Sequence, residues 1–444
     1  LQREREESFL RSASKAVKDQ FRKGRGVTLL VRNAGQLLTL KTERQMGPRT
    51  GENLSEVGMI ENGAVASLGA NILAAGTLED VKRTAVVDKT TKIVDAEGRV
   101  VTPGFVDPHT HPVFAATREE EFELRVKGAT YQEIAARGGG IRNSVRRFRE
   151  TSNEKLLRNA RRVLDRMLSY GTTTIEAKSG YGLSLEDEIR TLVIIKQLNE
   201  SHLIDLVPTF LGAHEVPDEC RDNREEYIRI LTEEMIPRVA EGNLAEFCDV
   251  FCEEGVFNIE ESRRILSTAK AYGLKLKLHA DELSPFGGAE LAAELGATSA
   301  DHLVAVSDAG IERMKKTGVI PVLLPGTTFS LGYKEYAPAR KMIEAGLPVA
   351  LATDCNPGSS MTENMQIILS LAGTQMRMTA AEGFCAATIN SAHAIGRGEE
   401  AGSLEPGKLA DLVIWDTDNY KEIPYHYGVN LVKTVIKRGR VVYG

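Results

Sequence analysis

No stretch of the 444-residue sequence is long and apolar enough to read as a membrane span. The longest uncharged runs, from Asn62 to Leu78 and from Thr317 to Tyr333, are broken by Gly, Asn, Pro or Thr. Basic excess is also lacking: 56 Lys and Arg face 62 Asp and Glu, a net charge of −6, and no basic stripe is interleaved with aromatics. That argues against nucleic acid and anionic membrane surfaces as partners. The five cysteines, Cys220, Cys248, Cys252, Cys355 and Cys385, are odd in number and form no C-x-x-C pair. They read as reduced thiols, mostly buried, rather than as a disulfide framework. Residues 1–26 are densely charged and lack the apolar h-region of a secretory signal, so a charged extension and a cytoplasmic location are expected. A phosphate loop is missing too. Gly402-Ser-Leu-Glu-Pro-Gly407-Lys408 comes near one, but Leu409 stands where a Ser or Thr is needed to hold magnesium.

What is present divides into two textures. From Val27 come short β-type runs with turn signals, TLLVRN, VGMIENGAVASLG and KIVDAEGRVV, and the chain closes on LADLVIWD and VKTVIKRGRVVYG. These predict a small β-sandwich domain built from both ends of the chain, residues 27–99 and 397–444. Between them, over 100–396, apolar strand-like runs alternate with amphipathic helical stretches, the pattern of a parallel α/β fold. The runs number eight: VTPGFVDPHTH, TTTIEAK, DLVPTFLGAH, FCDVFCEE, LKLKLHADE, SADHL, VIPVLLPG and PVALATD. Eight such units, with no glycine-rich dinucleotide fingerprint after the first, predict a TIM-type (β/α)₈ barrel rather than a doubly wound sheet.

In such a barrel the carboxyl ends of all the strands converge on one face, so side chains distant in sequence meet there. His109 and His111 fall at the end of the first run, His214 at the third, His279 at the fifth, His302 at the sixth and Asp354 at the eighth. Side chains two apart on a strand share a face, so His109 and His111 can reach one ion together. Singly, each has a bland reading as a satisfied histidine or a helix-capping aspartate. Jointly, His109, His111, His279 and Asp354 predict a centre for one divalent or trivalent ion, zinc or iron, that makes water nucleophilic at neutral pH.

The β-sandwich from both termini, the H-x-H of the first strand and the aspartate of the eighth together resemble the amidohydrolase superfamily. Many members hold two metals bridged by a carboxylated lysine at strand four. Here that strand reads FCDVFCEEG, with no lysine between Arg238 and Lys270, which is similar to the single-metal branch. The stretches DPHTHPVFAATRE, GATYQEIAARGGGI, AKSGYGL, FLGAHEVP, DVFCEEGVF, HADEL, LLPGTTF, ATDCNPGSS and LADLVIWD narrow the likeness within that branch. This resemblance implies hydrolysis of a ring C–N bond in 4-imidazolone-5-propanoate, giving N-formimidoyl-L-glutamate in histidine degradation, by a homodimer. It implies substrate contacts at Arg118, Tyr181, His214, Glu282, Asn356, Gly358 and Ser359. Arg118 suits the propionate of this anionic substrate because its planar fork matches a carboxylate. Tyr131 adds a hydroxyl on the same long loop, Pro112 to Glu150, whose length suggests a binding segment and whose Gly138-Gly139-Gly140 permits a tight turn. The chemical roles expected are proton acceptance by Asp354, proton delivery to the leaving nitrogen by Glu282, oxyanion stabilisation by His214, and orientation of water or Asp354 by His302. Two other readings share parts of the pattern: a deaminase of a purine or pyrimidine ring using the same metal site, and a catalytically dead barrel used for assembly, which would lack metal ligands.

Overall fold

The computed structural model describes residues 26–42, 47–129, 133 and 139–444. Tyr131, Gly138 and all but the last residue of the expected extension over 1–26 lie outside the described residues. The chain forms two compact units. One gathers its described residues up to Asp107 with Met167–Thr174 and Met365–Gly444, and the other comprises Pro108–Arg166 and Ile175–Asn364. Among the described residues no helix is long and apolar enough to cross a membrane. All five cysteines are free thiols, and four of them are buried.

In the first unit, strands β1 (Leu29–Leu38), β2 (Met59–Leu68), β3 (Asn71–Thr77), β4 (Lys92–Asp95) and β5 (Val100–Pro103) join β14 (Leu412–Trp415), β15 (Val432–Lys437) and β16 (Arg440–Tyr443). The order is β16-β15-β14-β5-β1-β2-β3, with β4 also paired to β1, so both ends of the chain build one mixed sheet. Alternate residues of β1 serve opposite faces, as a strand's two-residue period requires. Leu29, Val31 and Leu37 enter a cluster with Val65, Ile72, Val101, Leu412, Ile414 and Ile436. Leu30 enters another with Ala64, Ala66, Leu68, Leu73 and Val81. Each large aliphatic side chain buried in this way stabilises the unit by about 1.5–3 kcal/mol.

The second sheet runs β13-β12-β11-β10-β9-β8-β7-β6, through β6 (Phe105–Asp107), β7 (Thr172–Lys178), β8 (Asp205–Ala213), β9 (Phe247–Cys252), β10 (Lys275–Ala280), β11 (Ser299–His302), β12 (Ile320–Leu323) and β13 (Ala350–Leu351). From β8 to β13 every neighbouring pair is parallel. Residues just past the first and last of these strands close the ring. Thr110 bridges Cys355, His111 N–H donates to Cys355 O at 2.9 Å, and Asp354 N–H donates to His109 O at 3.1 Å. The expected (β/α)₈ barrel is therefore present. Its helices start where capping residues stand: Ser184 accepts from Asp187 N–H before Leu185–Ser201, and Asn258 forms a reciprocal capping box with Glu261 before Ile259–Ala271.

Two expectations need correction. The first barrel strand begins at Phe105 rather than Val101, because residues 101–103 are claimed by hydrogen bonds to β1 and β14 in the other sheet. The Pro112 to Glu150 stretch is not a plain loop, since it carries helices Glu119–Val126 and Ile141–Glu150. The first of these has no strong apolar stripe to announce it. Three glutamates in its opening turn favour a helix start all the same.

Candidate active site

Barrel closure sets His109, His111 and Asp354 side by side. His109 Nε2 and His111 Nε2 are 3.3 Å apart, and Asp354 Oδ1 lies 3.5 Å from the former and 3.6 Å from the latter. All three side chains are almost wholly buried. Asp354 reaches this position from a left-handed backbone, with φ of 52°, an uncommon conformation for a non-glycine residue. Its other oxygen accepts from the Thr327 hydroxyl at 2.5 Å, at the start of helix Pro325–Leu331. The His279 ring centroid is 4.5 Å from that of His109, and a nitrogen of each lies within 4.8 Å of the other and of a His302 nitrogen. His302, also left-handed with φ of 75°, turns Nε2 to within 3.6 Å of Glu282 Oε2.

Charged residues at alternate positions of the central strands form the layer beneath. His109 Nδ1 is 2.6 Å from Asp301 Oδ2, and His279 Nδ1 is 3.0 Å from Asp249 Oδ2. Lys178 donates to Asp249 at 2.6 Å and pairs with Glu176 at 2.9 Å. Lys277 pairs with the same Glu176 oxygen at 2.9 Å and donates to Pro108 O at 2.8 Å. None of these five side chains reaches solvent. Burial disfavours the charged form of Lys178, but Asp249, Glu176 and Asp301 outweigh it and hold its pKa above the usual lysine range.

Burial shapes the titration of the rim. It lowers His109, His111 and His302 well below the ordinary imidazole value, which keeps them neutral. It pushes Asp354 up to about 6, against the Thr327 bond, and pushes Glu282 up to about 8 with the Asp354 charge adding to the effect. His214 falls to about 3, again through burial. Because His214 Nδ1 donates to Gly180 O at 2.9 Å, the neutral ring presents a bare Nε2. It is an acceptor, so the expected role of stabilising an oxyanion does not suit it. Gly180 is required there: its φ is +114° and an added Cβ would sit 2.8 Å from His214 Nδ1.

The remaining expected contacts among the described residues lie on three segments, of which those of Arg118 and Gly358 meet. Tyr181 is buried, with ring centroids 5.6 Å from His214 and 6.1 Å from His111. Arg118 is neither free nor on the surface: Nε and Nη2 donate to Glu121 Oε2 at 2.8 and 2.5 Å, while Glu121 Oε1 accepts from Gly140 N–H at 3.0 Å. Its Nη1 lies against Gly358, where a Cβ would come within 2.5 Å. Asn356 folds the Asn356-Pro-Gly-Ser359 turn from within, accepting from Gly358 and Ser359 N–H at 2.7 and 2.9 Å and donating to Asp354 O and Ser359 Oγ. Its side chain shapes the loop that carries Gly358 and Ser359.

The amidohydrolase family model matches residues 100–442. Imidazolonepropionase of Geobacillus sp. strain WCH70 is 54% identical over 419 residues, covering 93% of this chain and 97% of that protein. Imidazolonepropionase of Alkaliphilus oremlandii is 50% identical over 416 residues, with coverage of 94% and 98%. Among solved structures, E. coli guanine deaminase superposes with a TM-score of 0.71 at 17% identity, over 94% of this chain and 99% of that one. The 5-methylcytosine deaminase of Klebsiella pneumoniae reaches 0.68 at 19%, over 93% and 97%. At those identities the deaminases share the fold alone.

The chain belongs to the amidohydrolase family, in its imidazolonepropionase branch. This imidazolonepropionase-type centre has a His/Asp cluster fit to bind a metal ion, and its spacing can be tested directly. Ligand atoms about 2.0–2.1 Å from a tetrahedral ion stand about 3.3–3.4 Å from one another, close to the observed 3.3, 3.5 and 3.6 Å. The neutral His109 imidazole, whose far nitrogen faces Asp301, is the donor type that holds such ions. In this imidazolonepropionase-type site, sequence reasoning missed Thr327, Glu121 and the whole ionic layer of Glu176, Lys178, Asp249, Lys277 and Asp301. The layer did leave a signal: Glu176 and Lys178 in TTTIEAK, and Lys277 and His279 in LKLKLH, are titratable residues two apart within strand-like runs.

Proposed function

We propose that the protein hydrolyses a ring C–N bond of 4-imidazolone-5-propanoate to give N-formimidoyl-L-glutamate, with one zinc or iron ion held by His109, His111, His279 and Asp354. The convergence of two strand-one imidazoles on the strand-eight carboxylate at ligand spacing carries this reading, and the half-identical imidazolonepropionases supply the substrate class. When bound, the ion would polarise the ring carbonyl and lower the pKa of water.

The chain's own groups divide the rest of the work. Asp354 is a carboxylate beside that position and accepts a proton from the attacking water. Glu282, carrying a proton up to about pH 8, delivers it to the nitrogen that leaves as the ring opens. His302, facing Glu282, orients that carboxyl. The bare Nε2 of His214 accepts from a ring N–H and fixes which way the heterocycle lies. Arg118, held stiff by Glu121 with Nη1 against Gly358, receives the propionate, and Tyr181 walls the ring. Tyr131, Asn356 and Ser359 complete the proposed substrate contacts. A homodimer in the cytoplasm completes the proposal, and sedimentation of the purified protein tests the dimer.

The deciding assay offers purified protein 4-imidazolone-5-propanoate, guanine and cytosine separately. Loss of the imidazolone chromophore without ammonia release is expected with the first only. Ammonia from guanine or cytosine at a higher kcat/KM would instead make the protein a deaminase.

A further inference from the structure

Two lysines inside a barrel, each with no exposed surface, need a reason to be there. A buried ion pair is often no more stabilising than a well-packed apolar pair, and breaking one is costly. Stability is therefore a weak explanation for Lys178 and Lys277. Their connections lead elsewhere. Lys178 donates to Asp249 Oδ2 at 2.6 Å, and that same oxygen stands 3.0 Å from His279 Nδ1. The other oxygen, Oδ1, accepts from His279 N–H at 3.2 Å. The carboxylate is thus pinned at one end by backbone and at the other by the ammonium, in the position that meets the imidazole. Lys277 follows a separate route: it holds the carbonyl of Pro108, the residue before His109, at 2.8 Å. Glu176 Oε2 joins the two lysines at 2.9 Å each, and its Oε1 accepts from Thr209 at 2.5 Å. Asp301, 3.7 Å from Lys178 and 3.9 Å from Lys277, receives His109 Nδ1 on Oδ2 and Ser299 Oγ on Oδ1, both at 2.6 Å.

We infer that Lys178 and Lys277 are positioning residues for the metal centre: bridged by Glu176, Lys178 sets Asp249 against His279, and Lys277 sets the backbone that carries His109. The inference rests on the metal ligands proposed above. It also accounts for the alternation in β7 and β10, where Lys178 and His279 each follow a buried charge by two residues. Glu176 precedes Lys178 in this way, and Lys277 precedes His279. The two routes are distinct, so they can be damaged one at a time.

The test is cobalt and zinc binding to metal-stripped protein, read as the visible cobalt spectrum and as zinc affinity by chelator competition. Wild type should take up one equivalent, and His279→Ala should not. Failure of either result rejects the proposed ligands rather than the role of the lysines. Given that baseline, Lys178→Met should weaken zinc binding by roughly 10- to 100-fold and alter the cobalt spectrum, the scale seen when groups behind metal-binding histidines are lost. Circular dichroism and the melting temperature of the metal-free variant report folding separately. Should Lys178→Met not fold, the double variant Lys178→Met/Glu176→Gln removes one charge of each sign from the layer and is measured in the same way. A folded variant of either kind with wild-type zinc affinity and an unchanged cobalt spectrum would reduce Lys178 to a structural ion pair and overturn the inference. Lys277→Met should change the cobalt spectrum without disturbing the Lys178 to Asp249 contact, and an unaltered spectrum would remove Lys277 from the positioning pair.

Discussion

The two sheets use the same two-residue alternation for opposite ends. In the terminal sheet the inward positions are Leu29, Val31, Leu37, Ile414 and Ile436, whose burial is non-directional and tolerates repacking. In the barrel the equivalent positions hold Glu176, Lys178, Asp249, Lys277, His279 and Asp301, whose contacts are directional and fail when one partner leaves. One region is built to stay folded. The other is built to aim a few side chains.

Substitutions should break that contrast in order of size. His279→Ala, in the aimed region, is expected to leave far less than one metal ion per chain and turnover at background; elemental analysis with the ring-opening assay checks both, and full occupancy would argue against ligation. Glu282→Gln should lower kcat by roughly 10² to 10⁴ with metal content normal, and a fully active variant rejects its role in proton transfer. Arg118→Ala removes charge-assisted bonds worth about 1.5–3 kcal/mol, so KM should rise roughly 10- to 100-fold with kcat less affected; an unchanged KM takes Arg118 out of the carboxylate site. In the terminal sheet, Ile414→Ala should cost about 2–5 kcal/mol in denaturant unfolding and leave zinc affinity where it was. A loss of zinc affinity there would erase the distinction between the regions.

The smallest effect is in pH. The Glu282 carboxyl sits at about 8 in the fold and near the ordinary carboxylate value when unfolded. As the proton donor it must be protonated, so kcat/KM should fall as pH rises past about 8, and the residual activity of Glu282→Gln should lack that limb. Linkage has the same sign. A carboxyl raised in the folded state favours folding most at pH below its unfolded value, and that contribution is lost as pH climbs through about 8. The metal-free protein should accordingly melt lower at pH 9 than at pH 6 by more than Glu282→Gln does.

The contrast also explains what could be read from the residues alone. The strands of the terminal sheet and the eight barrel runs announce themselves because apolar periodicity is a local signal, and His109, His111, His279 and Asp354 stand where such runs end. The ionic layer is harder to see. A lysine inside LKLKLH looks the same whether it faces water or Glu176, and only closure of the barrel decides. Charges mask helix Glu119–Val126, and with it Glu121, the partner that holds Arg118. The residues alone leave the tautomer of His214 open, and it is Gly180 O, a contact 34 residues away in the chain, that fixes it. The stretch 101–103 reads as part of the first barrel strand because nothing local shows that β14, more than 300 residues on, will claim it.

Metal stripping followed by titration tests the central claim most directly. Ring opening of 4-imidazolone-5-propanoate should vanish in the stripped protein and return in proportion to added zinc or ferrous ion, saturating at one equivalent per chain. Full activity without metal, or recovery that needs two equivalents, would contradict a single ion held by His109, His111, His279 and Asp354.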